Sequence, residues 1–144
     1  MDKIDHKIIG ILRQDAELTN AALAEQVNLS PSSCLRRVQK LKQQGIIRKM
    51  ICVIDDKALG RNLQAIVEVD LDRHGHASFV AFQEKVKNED AIIKAFGITG
   101  DSDVVLFLNL TDMDEYQDLC DRFFDRDKNI IRFRTSFVMR QIKD

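Results

Sequence analysis

The run Asn28-Leu29-Ser30-Pro31-Ser32-Ser33-Cys34-Leu35-Arg36-Arg37-Val38-Gln39-Lys40-Leu41-Lys42-Gln43 decides how this chain is read. Asn tolerates the left-handed backbone that ends a helix, Ser caps a new helix, and Pro suits the first helical position. One helix therefore stops and another starts within about four residues, which is a helix-turn-helix pattern. On a helical wheel of about 100° per residue with Ser32 at zero, Arg36, Lys40, Ser33 and Arg37 fall at about 40°, 80°, 100° and 140°. Leu41, Cys34, Val38 and Leu35 fall at about 180°, 200°, 240° and 300°. One half is apolar and the other holds Ser, Arg and Lys. A generic solvated face mixes Glu and Asp with Lys for pairing one turn apart. This face has no acid. Hydroxyls at a helix N-terminus reach phosphate oxygens, and Arg forks onto a guanine edge or a phosphate.

Working outward, Ile4, Ile8, Ile11 and Leu12 repeat at helical spacing behind a capping Asp2. Thr19 or Asn20 starts a second helix with apolar Leu23 and Val27. After Gly45, the stretch Ile46–Ile54 reads as a strand, with Arg48 and Lys49 in a small wing against the DNA backbone. Asp55–Asn62 is polar and holds a Gly, as a linker would. Beyond it, Leu63 to Leu71 alternates like a half-buried strand, and Phe79, Phe82 and Val86 mark a helix. Ala91–Thr99 and Val104–Leu110 are strands around a Gly100-Asp101-Ser102 turn. Met113, Tyr116, Leu119, Cys120, Phe123 and Phe124 share a helical stripe, and Asn129–Ile142 is the last strand. The expected fold is α+β: a winged helix-turn-helix over 1–54, a linker over 55–62, and a ferredoxin-like βαββαβ domain over 63–144. Two helices cover one face of a four-stranded sheet, so Ile66, Val105 and Phe107 on the other face call for a partner. A half-site-reading helix-turn-helix works as a two-fold pair, which favours a homodimer.

Composition agrees with a folded, reduced, cytoplasmic chain. The 144 residues are 44% apolar, with six Gly and one Pro, and no run approaches the roughly 20 apolar residues of a membrane span. The first segment lacks the apolar core of a signal peptide. Cys34, Cys52 and Cys120 are too few and too scattered for a disulfide framework or a zinc cluster, and Cys34 falls on an apolar helix face. Net charge is −1, yet Pro31–Lys49 holds six basic residues and no acidic one. That local imbalance points to nucleic acid. Against catalysis, there is no phosphate-binding Gly loop, HExxH or nucleophile elbow. His74-Gly75-His76 lacks a third matched ligand and reads as a solvated loop. Asp101 and Asp103 read as turn and ammonium-binding carboxylates rather than a cation site. Asp112, Asp114 and Glu115 suit a helix start. Neither a metal nor a cofactor is expected.

The helix-turn-helix with LSPSSCLRRVQKLKQQGII, the linker, the βαββαβ order and the Gly-Asp-x-Asp turn together resemble the Lrp/AsnC (feast/famine) transcription regulators. The resemblance spans essentially the whole chain, with one departure, Asn28 where Gly is expected. It implies a regulator that binds double-stranded DNA, dimerises through its sheet, assembles further to an octamer, and binds an amino-acid effector in clefts between dimers. The expected DNA contacts are Thr19, Asn20, Ser30, Ser32, Ser33, Arg36, Arg37 and Lys40. The expected effector site is Thr99, Gly100, Asp101, Ser102 and Asp103, with Thr135 and Ser136 on the last strand. Turn amides suit the carboxylate and Asp103 the ammonium of a free amino acid. The competing readings are a DNA-organising oligomer without a ligand and a small ferredoxin-like enzyme with a helical appendage.

Overall fold

The computed structural model describes residues 1–72 and 76–143, the side chains of 76–78 excepted. The chain divides into two compact units, Met1–Val53 and Ile54–Asp144. The His74-Gly75-His76 loop lies outside the described residues, apart from the backbone of His76.

The first unit is three helices, α1 (Lys3–Gln14), α2 (Asn20–Gln26) and α3 (Pro31–Gln43). Each starts on a residue chosen for its oxygen: Asp2, Thr19 and Ser30 accept from the amides of Asp5, Ala22 and Ser33. The turn from α2 to α3 is closed by Asn28 at φ 55°, with its amide donating to the Glu25 carbonyl and that of Leu29 to the Ala24 carbonyl. This pair of bonds satisfies the last carbonyls of α2 and sends the chain into α3. Gly45, at φ 70°, ends α3 in the same way. Ile8, Leu23, Ala24, Val27, Cys34, Val38 and Leu41 form the core. Leu35 does not join it and is 46% exposed.

The strand expected over Ile46–Ile54 is not formed. This run is β-prone, but a strand exists only with a backbone partner, and none is found for it among the described residues. Residues 55–62, expected as a linker, group with the second unit. Asp56–Leu59 forms a short 3₁₀ helix, and Arg61 donates to the Asn109 carbonyl.

The second unit runs β1 (Leu63–Leu71), α4 (His76–Lys87), β2 (Ile92–Gly97), β3 (Val104–Leu110), α5 (Met113–Leu119) and β4 (Ile130–Phe137). All neighbouring strands are antiparallel in the order β2-β3-β1-β4, the ferredoxin-like arrangement. β2 and β4 are shorter than expected. β4 stops where β1 begins, since Phe137 pairs with Ala65 and only the Val138 amide reaches further, to Gln64. Both edge pairings carry an irregularity, between Ile92 and Lys94 on one side and at Asp70/Leu71 on the other. α5 continues into a single π turn, Cys120–Phe124. The wider turn lets the adjacent Phe123 and Phe124 both bury, at 2% and 1% exposure.

The strand alternation has the sense expected. Val67, Val69, Leu106, Leu108 and Leu110 face the helices and pack with Phe82, Leu119, Phe123 and Phe124. Ile66, Val105 and Phe107 lie half-buried on the opposite face, where Phe107 meets the edge of Phe96 at 5.9 Å. Beside them run two cross-strand ion pairs, Arg134–Glu68 at 3.0 Å and Arg132–Asp70 at 2.7 Å.

Candidate nucleic-acid interface and effector site

α3 places its polar side chains in two groups. Ser30, Ser32 and Ser33 gather their hydroxyls at the N-terminus, with Ser30 Oγ 2.9 Å from Ser33 Oγ and 3.2 Å from Ser32 Oγ. Unpaired helical amides and hydroxyls at such an end suit phosphate oxygens. One turn on, Arg36 and Lys40 are exposed, with no ion pair for either among the described residues. Gln39, at about 340° on the wheel, is exposed between Leu35 and Arg36. The sequence reading passed it over because it carries no charge, yet its amide has the donor and acceptor that match adenine.

Besides the capping Ser30, three further expected DNA contacts have partners within the chain. Thr19 Oγ1 accepts from the Ala22 amide at 3.2 Å. Asn20 Nδ2 donates to the Pro31 carbonyl at 2.8 Å and so ties the start of α2 to the start of α3. Arg37 is half-buried, and its Nη1 lies 2.7 Å from Asp2 Oδ2 and 2.8 Å from Asp5 Oδ1. Both carboxyls sit below the usual aspartate range, chiefly through the amide each accepts from and then through Arg37.

In the second unit the turn after β2 is built by Gly100, at φ 126°, a backbone that side chains disfavour. Asp103 knits this turn to β1. Its amide donates to the Val69 carbonyl, its carbonyl accepts from Ile98, and its Oδ2 accepts from the Leu71 amide at 2.9 Å. The Asp103 carboxylate therefore spends part of its accepting capacity on β1. Ser102 is buried and its Oγ accepts from Arg134 Nη2 at 3.0 Å. The Ser102 hydroxyl and then Arg132 hold the Asp70 carboxyl low. Thr99, Gly100 and Asp101 are exposed.

Thr135 and Ser136 do not meet this turn within the chain. Neighbouring strand residues point to opposite faces. Thr135 Oγ1 accepts from the Tyr116 hydroxyl at 2.7 Å on the helix side, while Ser136 lies with Ile66 on the other. They pair with Val67 and Ile66, two and three residues along β1 from the Val69–Val104 pair that carries the turn. At about 3.3 Å per residue that is roughly 7 and 10 Å along the strand. Adjoining the turn instead is a groove of about 390 Å³ between α4 and β2, lined by Phe79, Phe82, Val86, Ala95, Gly97 and Val104 among others. Gly97 and Val104 are a register pair at the stem of the turn, so the groove begins where the turn ends. Among the described residues no group of side chains is arranged to hold a metal ion, and no helix is long and apolar enough to cross a membrane.

Comparison with known proteins agrees with this division. Residues 1–48 match a family model described as winged helix-turn-helix DNA-binding, and residues 64–144 one described as Lrp/AsnC ligand binding domain. The leucine-responsive regulatory protein of Rhizobium meliloti is 33% identical over 144 residues, covering 100% of this chain and 92% of that protein. An uncharacterized HTH-type transcriptional regulator of Haemophilus influenzae is 34% identical, covering 96% of this chain and 83% of its own length. A transcriptional regulator of Neisseria meningitidis, solved as an L-Met complex, superposes with a TM-score of 0.96 at 30% identity, covering 100% of this chain and 93% of that one. The relatives are DNA-binding transcription regulators and not enzymes. The three helices, the four-stranded antiparallel sheet and both matched domains establish that this chain belongs to the Lrp/AsnC family of transcription regulators.

Proposed function

We propose that the chain is a cytoplasmic regulator that reads double-stranded DNA with α3, works as a homodimer assembling to an octamer, and changes its DNA binding on taking up a free amino acid. The observation that carries the DNA reading is the exposed, acid-free arc of α3. Ser32, Ser33, Arg36 and Lys40 meet DNA from it, and Gln39 adds a neutral donor and acceptor at its edge. Thr19, Asn20 and Ser30 serve this arc by fixing helix starts. Dimerisation is supported by the apolar patch of Ile66, Val105 and Phe107 opposite the helices.

For the effector, the exposed Thr99, Gly100 and Asp101 offer amides and a carboxylate for the zwitterion. The adjoining groove offers apolar walls for a side chain. Ser136, distant from the turn of its own chain, contributes only to the site of a neighbouring copy. That the related Neisseria regulator was solved as an L-Met complex favours this reading over a ligand-free DNA organiser.

Selection of bound duplexes from a random pool, with and without the common amino acids, tests the proposal. A discrete motif whose recovery changes with one amino acid is the expected result. Calorimetry then compares the wild type with Gly97→Val. A Cβ at Gly97 meets nothing within 4 Å, so the fold accepts the new side chain while the groove narrows. Affinity for an apolar amino acid falls if the groove holds its side chain. Unchanged binding in Gly97→Val removes the groove from the site, and absence of binding by any amino acid returns the organiser.

A further inference from the structure

We propose that Arg37 is a positioning residue: it does not touch DNA but clamps the recognition helix to the N-terminus of α1 and so sets the angle at which Arg36, Gln39 and Lys40 are presented. The inference rests on the DNA reading above and adds to it a determinant outside the contact face.

The geometry of the clamp is specific. Asp2 and Asp5 form a reciprocal capping box, with the Asp5 amide donating to Asp2 Oδ1 at 2.9 Å and the Asp2 amide to Asp5 Oδ2 at 3.0 Å. Each carboxylate thus spends one oxygen on a backbone amide and keeps the other. Those two remaining oxygens, Asp2 Oδ2 and Asp5 Oδ1, both accept from Arg37 Nη1, at 2.7 and 2.8 Å. The carboxylates are locked in orientation by their own helix before the guanidinium arrives, so they form a socket rather than a loose surface pair. Such preorganisation separates networks that hold geometry from single exposed pairs that hold little.

Placement and charge agree. At about 140° on the wheel, Arg37 borders the buried Leu41, on the flank of the arc that carries Arg36 and Lys40. Its side chain is 31% exposed, and that of Asp5 16%. One guanidinium between two carboxylates leaves a net charge of −1, which repels phosphate. At the N-terminus of α3, the Asn20–Pro31 bond ties the helix to α2. The two struts leave α3 anchored near its first residue and again half-way along. A helix held at both points keeps its tilt when its N-terminus is loaded.

The test titrates the full-length protein with its selected duplex and with single-base variants of it, over a range of salt. The set comprises wild type, Arg37→Ala, Asp2→Asn/Asp5→Asn and, as a contact control, Lys40→Ala. A phosphate contact shows as a fall in the salt slope of about 0.9 per contact, which Lys40→Ala displays if the DNA reading holds. For Arg37→Ala the expected result is a several-fold loss of affinity at wild-type slope, with preference relaxed at several operator positions together. Asp2→Asn/Asp5→Asn keeps both the cation and the capping acceptors, and is expected to give the same relaxed pattern. It also serves where Arg37→Ala fails to fold. Combining the two sets of changes is expected to add no further loss.

A reduced slope in Arg37→Ala, or relaxation at one position alone, makes Arg37 a DNA contact and overturns the proposal. A tighter complex in Asp2→Asn/Asp5→Asn with a salt slope steeper by about 0.9 per contact does the same, since it means a freed guanidinium takes up a phosphate. Equal weakening on every sequence, or no change, assigns the pair to stability alone and also overturns it. Failure of the wild type to bind any duplex strikes the DNA reading itself.

Discussion

Asn28 offers a sharp test of how the helix-turn-helix is closed, through the paired variants Asn28→Gly and Asn28→Ala. Its φ of 55° belongs to the left-handed region, and its side chain makes no hydrogen bond among those of the described residues. The left-handed conformation costs an ordinary L residue about 1–2 kcal/mol. Ala at this position carries that cost in full. Gly escapes it but loses about 0.5–1 kcal/mol more backbone entropy on folding. The difference leaves the Gly variant more stable than the Ala variant by about 0.5–1 kcal/mol, with wild type between them or level with Gly. The unit concerned is Met1–Val53. For a small domain each kcal/mol shifts Tm by about 4–8 °C, so the two variants separate by about 2–8 °C. Far-UV circular dichroism of the full chain sums α1–α3 with α4 and α5, so the comparison is of the part of the melt that shifts between the two variants. Coincident melting of the two variants, or Ala above Gly, refutes the reasoning. The turn would then be held by something other than backbone conformation.

Lys40→Ala in a protein bound as a dimer loses two phosphate contacts, so the salt slope falls by about 1.8 and the deficit against wild type shrinks about twelvefold between 50 and 200 mM salt; parallel lines in a binding titration refute a phosphate role. Hydrogen bonding by Arg122 holds the Glu89 carboxyl below its ordinary range, against the opposing effect of burial. A lowered folded pKa stabilises above the unfolded value, about 4.3, and that stability is lost as pH falls through the folded pKa. Glu89→Gln is therefore less stable than wild type in urea at pH 7, and the gap closes toward pH 3; a gap independent of pH excludes the ion pair as its source. Phe107→Asp sets a charge in the apolar patch opposite the helices and is expected to sediment as a smaller species than wild type, whereas an unchanged assembly removes that face from the interface.

Local signals were legible and long-range ones were not. The split of α3 follows from periodicity, and Asp2, Thr19 and Ser30 announce their helix starts by residue type. The helix wheel places Arg37 on the polar arc, but its partners in the chain lie 32 and 35 residues away, beyond any pattern in the sequence. The carboxylate of Asp103 likewise meets an amide 32 residues earlier, a contact no local pattern announces. Ile46–Ile54 has strand composition, but composition does not supply a partner strand. That Thr135 and Ser136 lie on opposite faces of the sheet is itself legible, since period two alone separates neighbours. The π turn is invisible to a stripe of apolar residues, which reads the same for either helix.

The two irregular edge pairings of the sheet bear on how copies of this chain accumulate. An unpaired strand edge is a template for another strand, and addition at that edge has no natural end. Here β2 departs from regular pairing at Ile92/Lys94 and presents an exposed Lys94, while β4 does so opposite Asp70/Leu71 and carries Arg132 and Arg134. A strand approaching from either side meets broken register and long charged side chains. Lateral growth into a ribbon is thereby disfavoured on both flanks, and the broad sheet surface is left as the route for self-association. A contact that uses the same patch on both copies closes at two, whereas strand addition at an edge does not close at all.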